Sequence, residues 1–251
     1  MNRNLDKFAK VSKDVKEFEI LEEKKFYKIG GAIAIQQRRG AWYNGGTMKE
    51  AMLGMKKIPT LFKREFGEDG RIVKVLPEVT PGCEWVLDGE GEATEKVDGA
   101  CCAIIGGDLY RRYDAKGGKT PPEGAIPCTH APDPVTGHWP HWVKVNPYSR
   151  DDGRFRDAYY NTPWCRADGT YECVGPRVQR NPYGLDDVFL ERHGRIKIKD
   201  CPRTFEGIRE YLRTHEIEGI VFWKDGEPRC KIKRTDFGFE WPVKGDSNDK
   251  I

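Results

Sequence analysis

Glu218-Gly219-Ile220-Val221-Phe222-Trp223-Lys224-Asp225-Gly226-Glu227-Pro228-Arg229-Cys230-Lys231-Ile232-Lys233 decides the fold class. Two apolar-containing runs flank Asp225-Gly226, and Asp-Gly between such runs is a strong hairpin signal, because both central residues of the turn need a positive φ. With Asp225 and Gly226 as the loop, Ile220 pairs with Lys231 and Glu218 with Lys233. Alternation then puts Glu218, Lys231 and Lys233 on one face. A bulge at Pro228, which has no N–H to donate, would shift this register. An exposed cross-strand ion pair is nearly neutral in energy. Ile220 between the charged residues is nevertheless out of place on a fully solvated face.

Outward from the hairpin, the chain from Ile58 onward reads as short strands separated by Gly, Pro and Asp. They include Arg71–Leu76, Cys101–Ile105, His141–Val145, Thr170–Val174 and Gly219–Trp223. Residues 114–140, rich in Gly, Pro, Lys and Asp, read as a long loop. One helix interrupts the strands, with Thr204 as its cap and Phe205, Ile208 and Leu212 along one side. Runs of strands with few helices imply an α+β domain of antiparallel sheets with flanking helices. Before residue 58 the texture differs. Leu5, Phe8, Val11, Val15 and Phe18 suit one helix face, Gly30–Gly46 is glycine-bearing, and Thr47–Lys57 is a short helical candidate. Residues 1–57 therefore read as an N-terminal extension without an assigned role, and 58–251 as the main domain.

The bulk composition excludes little. Of 251 residues 33% are charged, with 43 Lys plus Arg against 40 Asp plus Glu, and a net charge of +3 does not by itself call for nucleic acid. No apolar run approaches the ~20 residues of a membrane helix, and the polar N-terminus has no signal-peptide core. Eight cysteines are spread through the chain. Without an export signal they read as reduced thiols of a cytoplasmic protein.

Chemistry gathers around Glu95-Lys96-Val97-Asp98-Gly99. Alone, Lys-x-Asp-Gly is a short pattern that also describes a surface turn with a solvated lysine before it. Three more pieces accompany it: the hairpin with Glu218, Lys231 and Lys233; Tyr171-Glu172-Cys173-Val174, an apolar strand carrying one carboxylate; and Arg111-Arg112-Tyr113-Asp114. Together they fit attack by a lysine amine on the α-phosphate of a nucleotide. A free lysine has a pKa of about 10.4. Neighbouring cations such as Lys231 and Lys233 would lower that value and also stabilise charge on the phosphoryl oxygens. A carboxylate such as Glu218 suits Mg²⁺ or Mn²⁺, hard cations that take oxygen ligands. An Arg and a Glu would hold ribose and phosphates in line.

In order and spacing these segments resemble motifs I, Ia, III, IV and V of the covalent nucleotidyltransferase superfamily, which comprises DNA ligases, RNA ligases and mRNA capping enzymes. More narrowly, the chain is similar to small ATP-dependent 5′-to-3′ RNA ligases. The matching stretches are Glu95–Cys102, Gly137–Val143, Asn181–Leu185, His193-Gly194, Glu218–Val221 and Phe239–Pro242, within roughly residues 58–242. The resemblance implies a nucleotidyltransferase domain of ATP-grasp-like architecture, with ATP as AMP donor and Mg²⁺ or Mn²⁺ as metal. It implies that Lys96 carries AMP between Glu95 and Val97, and that Arg112, or Arg111 beside it, contacts ribose or phosphate. Glu172 would bind a ribose hydroxyl, Glu218 the metal, and Lys231 and Lys233 the α-phosphate. An aromatic stacks on adenine in the family, and Phe189 and His193 both stand near that place. The implied partner is RNA with 5′-phosphate and 3′-hydroxyl ends, with no membrane and no required protein partner.

Other features carry alternative readings. Cys128-x-His130 and His138-x-x-His141 have a spacing compatible with zinc but match no zinc pattern. Adjacent Cys101 and Cys102 suit packing rather than redox chemistry. Arg192, Arg195, Lys197, Lys199 and Arg203 form a basic run, either a solvated face or an RNA-phosphate contact through Arg195, Lys197 and Lys199. DNA ligase and capping-type activities, and an inactive RNA-binding module, are the competing functions. Lys233 lies 18 residues from the end of the 251-residue sequence, too few for the OB barrel that DNA ligases and capping enzymes append. Retention of both Lys96 and Lys231 speaks against an inactivated scaffold.

Overall fold

The computed structural model describes residues 57–243, apart from 117, 135 and 165. The extension 1–57, with its expected helices, therefore lies almost wholly outside the described residues. The described residues are α+β, with mostly antiparallel sheets and two α-helices among them. The chain divides into two compact units interleaved in sequence. One comprises Lys57–Ala100, Val178–Pro182 and the chain from Glu191 onward; the other includes Cys101–Arg177 and Tyr183–Leu190.

The first unit is built around the hairpin. Strand β1 (Phe62–Phe66) pairs with β2 (Ile72–Val79) in a two-stranded sheet. Strand β3 (Glu92–Lys96), the later strand Gly219–Lys224 and its partner Glu227–Lys233 form a three-stranded sheet. Asp225 and Gly226 make the two-residue turn at φ 56° and 76°, both positive as a type I′ turn requires. Backbone bonds extend the sheet at both sides. Leu61 and Pro59 bond Lys231, while Glu95 and Ala93 bond Ile196 and Ile198. One face of the sheet is apolar. Ala93, Ile220, Phe222, Cys230 and Ile232 are buried on it with Leu61, Phe62 and the helix residues Ile208 and Leu212. That helix, Phe205–Thr214, starts as expected, with the Thr204 hydroxyl accepting from the Gly207 N–H.

The second unit holds strand β4 (Ala100–Ile105) from Cys101 on, β5 (Asp108–Ala115), β6 (Ile126–Pro127), β7 (Trp139–Lys144), β8 (Gly169–Val174) and β9 (Phe189–Arg192) as far as Leu190, in the sheet order β6-β7-β5-β4-β8-β9. Continuing the numbering, the hairpin strands are β10 and β11. Most of the expected loop 114–140 is irregular, apart from the short β6 and the ends that β5 and β7 extend into it. Helix α1 (Gly153–Asn161) was not expected from the sequence. The helix with Phe205 is α2.

Register is the one correction to the hairpin. Gly219 opposes Lys233, Ile220 opposes Ile232 and Val221 opposes Lys231, because the pairing slips between Phe222–Cys230 and Trp223–Pro228. The extra residue is Arg229, a bulge next to the proline that cannot donate to the ladder. Lys231 and Lys233 therefore share a face with Gly219 and Val221, while Glu218 has the opposite parity and approaches from the start of β10.

Candidate active site

Within the first unit, β3 and β11 deliver the basic residues to one end of one face, with β10 between them. β10 pairs with β3 so that Gly219 opposes Lys96 and Val221 opposes Thr94. Gly219 thus stands between Lys96 and Lys233 in a single row across the sheet. A side chain there has no room, since a Cβ would meet the Ile232 carbonyl oxygen at 2.3 Å and the Lys233 Cα at 2.9 Å. The glycine lets the strands approach and leaves the gap between the two lysines open.

Glu218 closes this row from the end. One of its carboxylate oxygens accepts from Lys96 Nζ at 2.6 Å and the other lies 2.9 Å from Lys233 Nζ. Its side chain is 7% exposed, against 20% for Lys96 and 34% for Lys233. Lys231, one pair further along β11, has its pKa pushed down to about 8 by burial and then by the charges of Lys96 and Lys233. Arg64 adds to that depression, while Glu218 opposes it. Lys96, Glu218, Lys231 and Lys233 are therefore brought together as four of the expected site residues, in a different register from the one read off the hairpin alone.

The segment after Lys96 is tied down from two sides. Trp241 donates its Nε1–H to Asp98 Oδ2 at 2.8 Å, and Gln179 donates to the Gly99 carbonyl at 3.3 Å. Glu95 has the parity of the apolar face, opposite Ile220, and its N–H bonds Ile196. Val97 is half-buried just beyond the strand.

Arg112, Glu172 and Phe189 belong to the second unit. Cys102 opposes Arg111 across β4 and β5, so alternation puts Arg111 and Arg112 on opposite faces of that sheet. Arg111 is engaged with Asp152 at 2.7 Å, and the buried Asp152 also accepts from the Asn146 N–H at the start of α1. Arg112 donates to Asp114 at 2.9 Å. On its face, Arg112 and Glu172 both act on the thiol of Cys101, whose pKa burial raises, Glu172 raises further and Arg112 opposes. Phe189 begins β9 and is half-buried, and His193 belongs to the first unit.

The basic run is largely neutralised where it stands. Arg195 clasps the buried Glu191 with two donors, Nε at 2.6 Å and Nη2 closer still. Lys197 pairs with Glu92 at 2.5 Å, and Arg203 donates to the Glu90 and Gly91 carbonyls. Lys199 is exposed. Among the described residues, Cys128, His130, His138 and His141 do not form a converging ligand set. Cys128 is buried against Ala103 and Trp142, and His141 Nδ1 lies 2.9 Å from the Trp139 carbonyl. The seven described cysteines are free, and burial raises the pKa of both Cys101 and Cys102. No helix among the described residues is long and apolar enough to cross a membrane.

Arg64 and Trp241 were not singled out for chemistry in the sequence. Arg64 lies in a short charged strand with no motif around it. Trp241 stands within Phe239–Pro242, one of the stretches whose resemblance to small RNA ligases was the available signal.

No protein-family model matches the chain. A stretch of 83 residues is 34% identical to RNA ligase 1 of Danio rerio, covering 30% of this chain and 26% of the fish protein. RNA ligase 1 of Rattus norvegicus is 34% identical over 88 residues, with the same coverage of 30% and 26%. The matched stretch spans about a quarter of each relative's length, and over that stretch the chain is similar to RNA ligase 1.

Proposed function

We propose that this protein is an ATP-dependent RNA ligase in which Lys96 carries AMP. The observation that carries the proposal is the row Lys96–Gly219–Lys233, closed by Glu218 and flanked by the buried Lys231. Three amines around one carboxylate leave an excess of positive charge, which suits the oxygens of a phosphoryl group under attack. The similarity to RNA ligase 1 supports the same chemistry.

In the first step the Lys96 ammonium sheds one proton, and its lone pair forms a bond to the α-phosphorus of ATP. The bond between the α-phosphorus and its bridging oxygen breaks, pyrophosphate leaves with that electron pair, and the nitrogen sheds a second proton. AMP then passes to a 5′-phosphate of RNA, and a 3′-hydroxyl displaces it to form the phosphodiester. Lys231 and Lys233 keep positive charge beside Lys96, where the phosphoryl oxygens would lie. Arg112 and Glu172 serve ribose and phosphate, with Phe189 or His193 at the adenine. The domain of this activity is residues 58–251, with a nucleotidyltransferase architecture of the ATP-grasp-like kind.

Glu218 would hold a divalent metal only in place of the Lys96 and Lys233 ammonium groups that now take its two oxygens. It is the carboxylate among the three lysines, and Mg²⁺ sites commonly use one or two carboxylates plus substrate phosphates. Such an ion, if bound, would offset charge on the phosphoryl oxygens.

The experiment is incubation with α-labelled ATP and Mg²⁺ or Mn²⁺, a denaturing gel and peptide mapping. One AMP on Lys96 is expected, with no label on Lys96→Ala. Label on Lys231 instead would reassign the nucleophile. Labelling by GTP would move the protein to the capping class, and equal sealing of nicked duplex DNA would defeat the RNA preference.

A further inference from the structure

Arg64 stands on β1, three residues beyond Leu61, whose N–H bonds the Lys231 carbonyl at 2.7 Å; the Lys231 N–H bonds Pro59 at 3.0 Å. Its Nη2 donates to Asp236 Oδ1 at 2.6 Å. The other oxygen of this buried carboxylate accepts the backbone N–H of Lys233 at 2.8 Å. One edge of the guanidinium is thus fixed to the same strand end that carries the two site lysines. Among the described residues, the Nε of Arg64 is buried and has no hydrogen-bond partner. Buried donors are normally satisfied, so a buried Nε–H without an acceptor needs a reason. The charge of Arg64 is also felt at Lys231, so a guanidinium is held against like charges. An anion among them would relieve that repulsion.

The order of the cations across the sheet gives the anion a direction. Lys96 is on β3, Lys233 and Lys231 are on β11, and Arg64 follows the segment on the far side of β11. Neighbouring strands lie about 4.8 Å apart, so the cations form a series rather than a point. The α-phosphorus must stand at Lys96 Nζ for attack, and the rest of the triphosphate extends away from it. Resting on the nucleotidyl-transfer function proposed above, we infer that Arg64 binds the β,γ-phosphate end of the nucleotide, the part released as pyrophosphate. Arginine suits this place, because Asp236 takes one edge of a planar fork and the remaining N–H groups face other oxygens.

Arg64 then serves lysine adenylylation and not the later joining. A pre-adenylylated RNA strand carries AMP but no β,γ-phosphates. Full-length wild type, Arg64→Lys and Arg64→Gln are compared in single-turnover formation of lysyl-AMP and in joining of that strand. Removing one donor to a developing oxyanion costs about 100-fold or more in rate, so a loss of that size is expected for Arg64→Gln in adenylylation, with Arg64→Lys intermediate. Joining is expected to fall at least about tenfold less. Parallel losses in both steps, or unchanged adenylylation, would overturn the inference. If Arg64→Gln does not fold, Arg64→Lys decides alone. Calorimetric titration with inorganic tripolyphosphate is an independent readout, with affinity about tenfold weaker in Arg64→Lys expected. Equal affinity refutes the role of Arg64. Weaker affinity in Arg64→Lys, together with a wild type that forms no lysyl-AMP, keeps the anion site and overturns only the ligase function.

Discussion

Replacing Glu218 by Gln should cost stability in a way that depends on pH. Gln keeps the size of the side chain and removes the negative charge shared by Lys96 and Lys233. Removing one partner of a fully buried pair costs about 3–5 kcal/mol, whereas an exposed pair is worth about 0–1. Glu218 is 7% exposed but its lysines are 20% and 34% exposed, which places this cluster between those limits. About 2 kcal/mol is expected, or roughly 4–8 °C in Tm for a domain of this size. The pH dependence follows from Lys231. Its folded pKa is about 8, against an ordinary 10.5, so between those values the unfolded chain binds more protons and stability rises with pH. Glu218 holds the Lys231 pKa up, so without it Lys231 in the folded state loses its proton at lower pH and the variant recovers earlier. The gap between wild type and variant should therefore narrow as pH rises toward and through about 8. Thermal melts followed by circular dichroism from acid to mildly alkaline pH test this. A gap that stays constant, or widens with pH, would refute the electrostatic coupling of these groups.

Further outcomes follow from individual contacts. Gly219→Ala, whose Cβ would meet the Ile232 oxygen at 2.3 Å, should force β10 and β11 apart, lose about 1–3 kcal/mol in denaturant melts and lose lysine labelling with it. Trp241→Phe keeps a ring but removes the bond to Asp98, so labelling of Lys96 should slow by roughly tenfold, equivalent to about 1.4 kcal/mol, while unfolding changes little. Arg195→Glu strands the buried Glu191 and should destabilise by about 3 kcal/mol or more in thermal melts. Lys199→Glu, at an exposed position, should leave stability unchanged and lower RNA affinity with a shallower salt dependence, by about one unit of slope in titrations at several salt concentrations.

The strands legible in the sequence were those whose composition matches their environment. Gly219–Lys224 and Ala100–Ile105 carry the β-branched and apolar residues of buried strands, and Asp225-Gly226 announces its turn. β3 was hidden. Glu-Ala-Thr-Glu-Lys has no apolar run, and it is a strand because β10 pairs on one side and the Ile196–Ile198 segment bonds the other. Helix α1 was hidden for a related reason. Its sequence is mostly polar, and Phe155 and Ala158 are its buried apolar side chains, so no wide stripe marks it. In both elements tertiary pairing supplies what local pattern lacks.

The site was legible as a set of residues but not as an arrangement. Reading Glu218, Lys231 and Lys233 onto one face assumed an unbroken ladder, and Arg229 breaks it by one residue. A slip of one exchanges the faces of a strand. With an unbroken ladder, Lys231 and Lys233 would point with Ile220 into the apolar core that Ile232 and Cys230 now fill. The bulge instead turns both lysines to the face of Lys96, with Gly219 between Lys96 and Lys233 where a Cβ would meet the Ile232 carbonyl oxygen. Glu218, left with the core's parity, is held nearly out of solvent at the strand's start while its oxygens still reach two ammonium groups. Burial of the carboxylate strengthens its pull on those groups. The same burial at Lys231 weakens that amine's hold on its proton. A single inserted residue thus separates the cations from the core and sets them around one anion, the arrangement that a nucleotide's phosphates can enter.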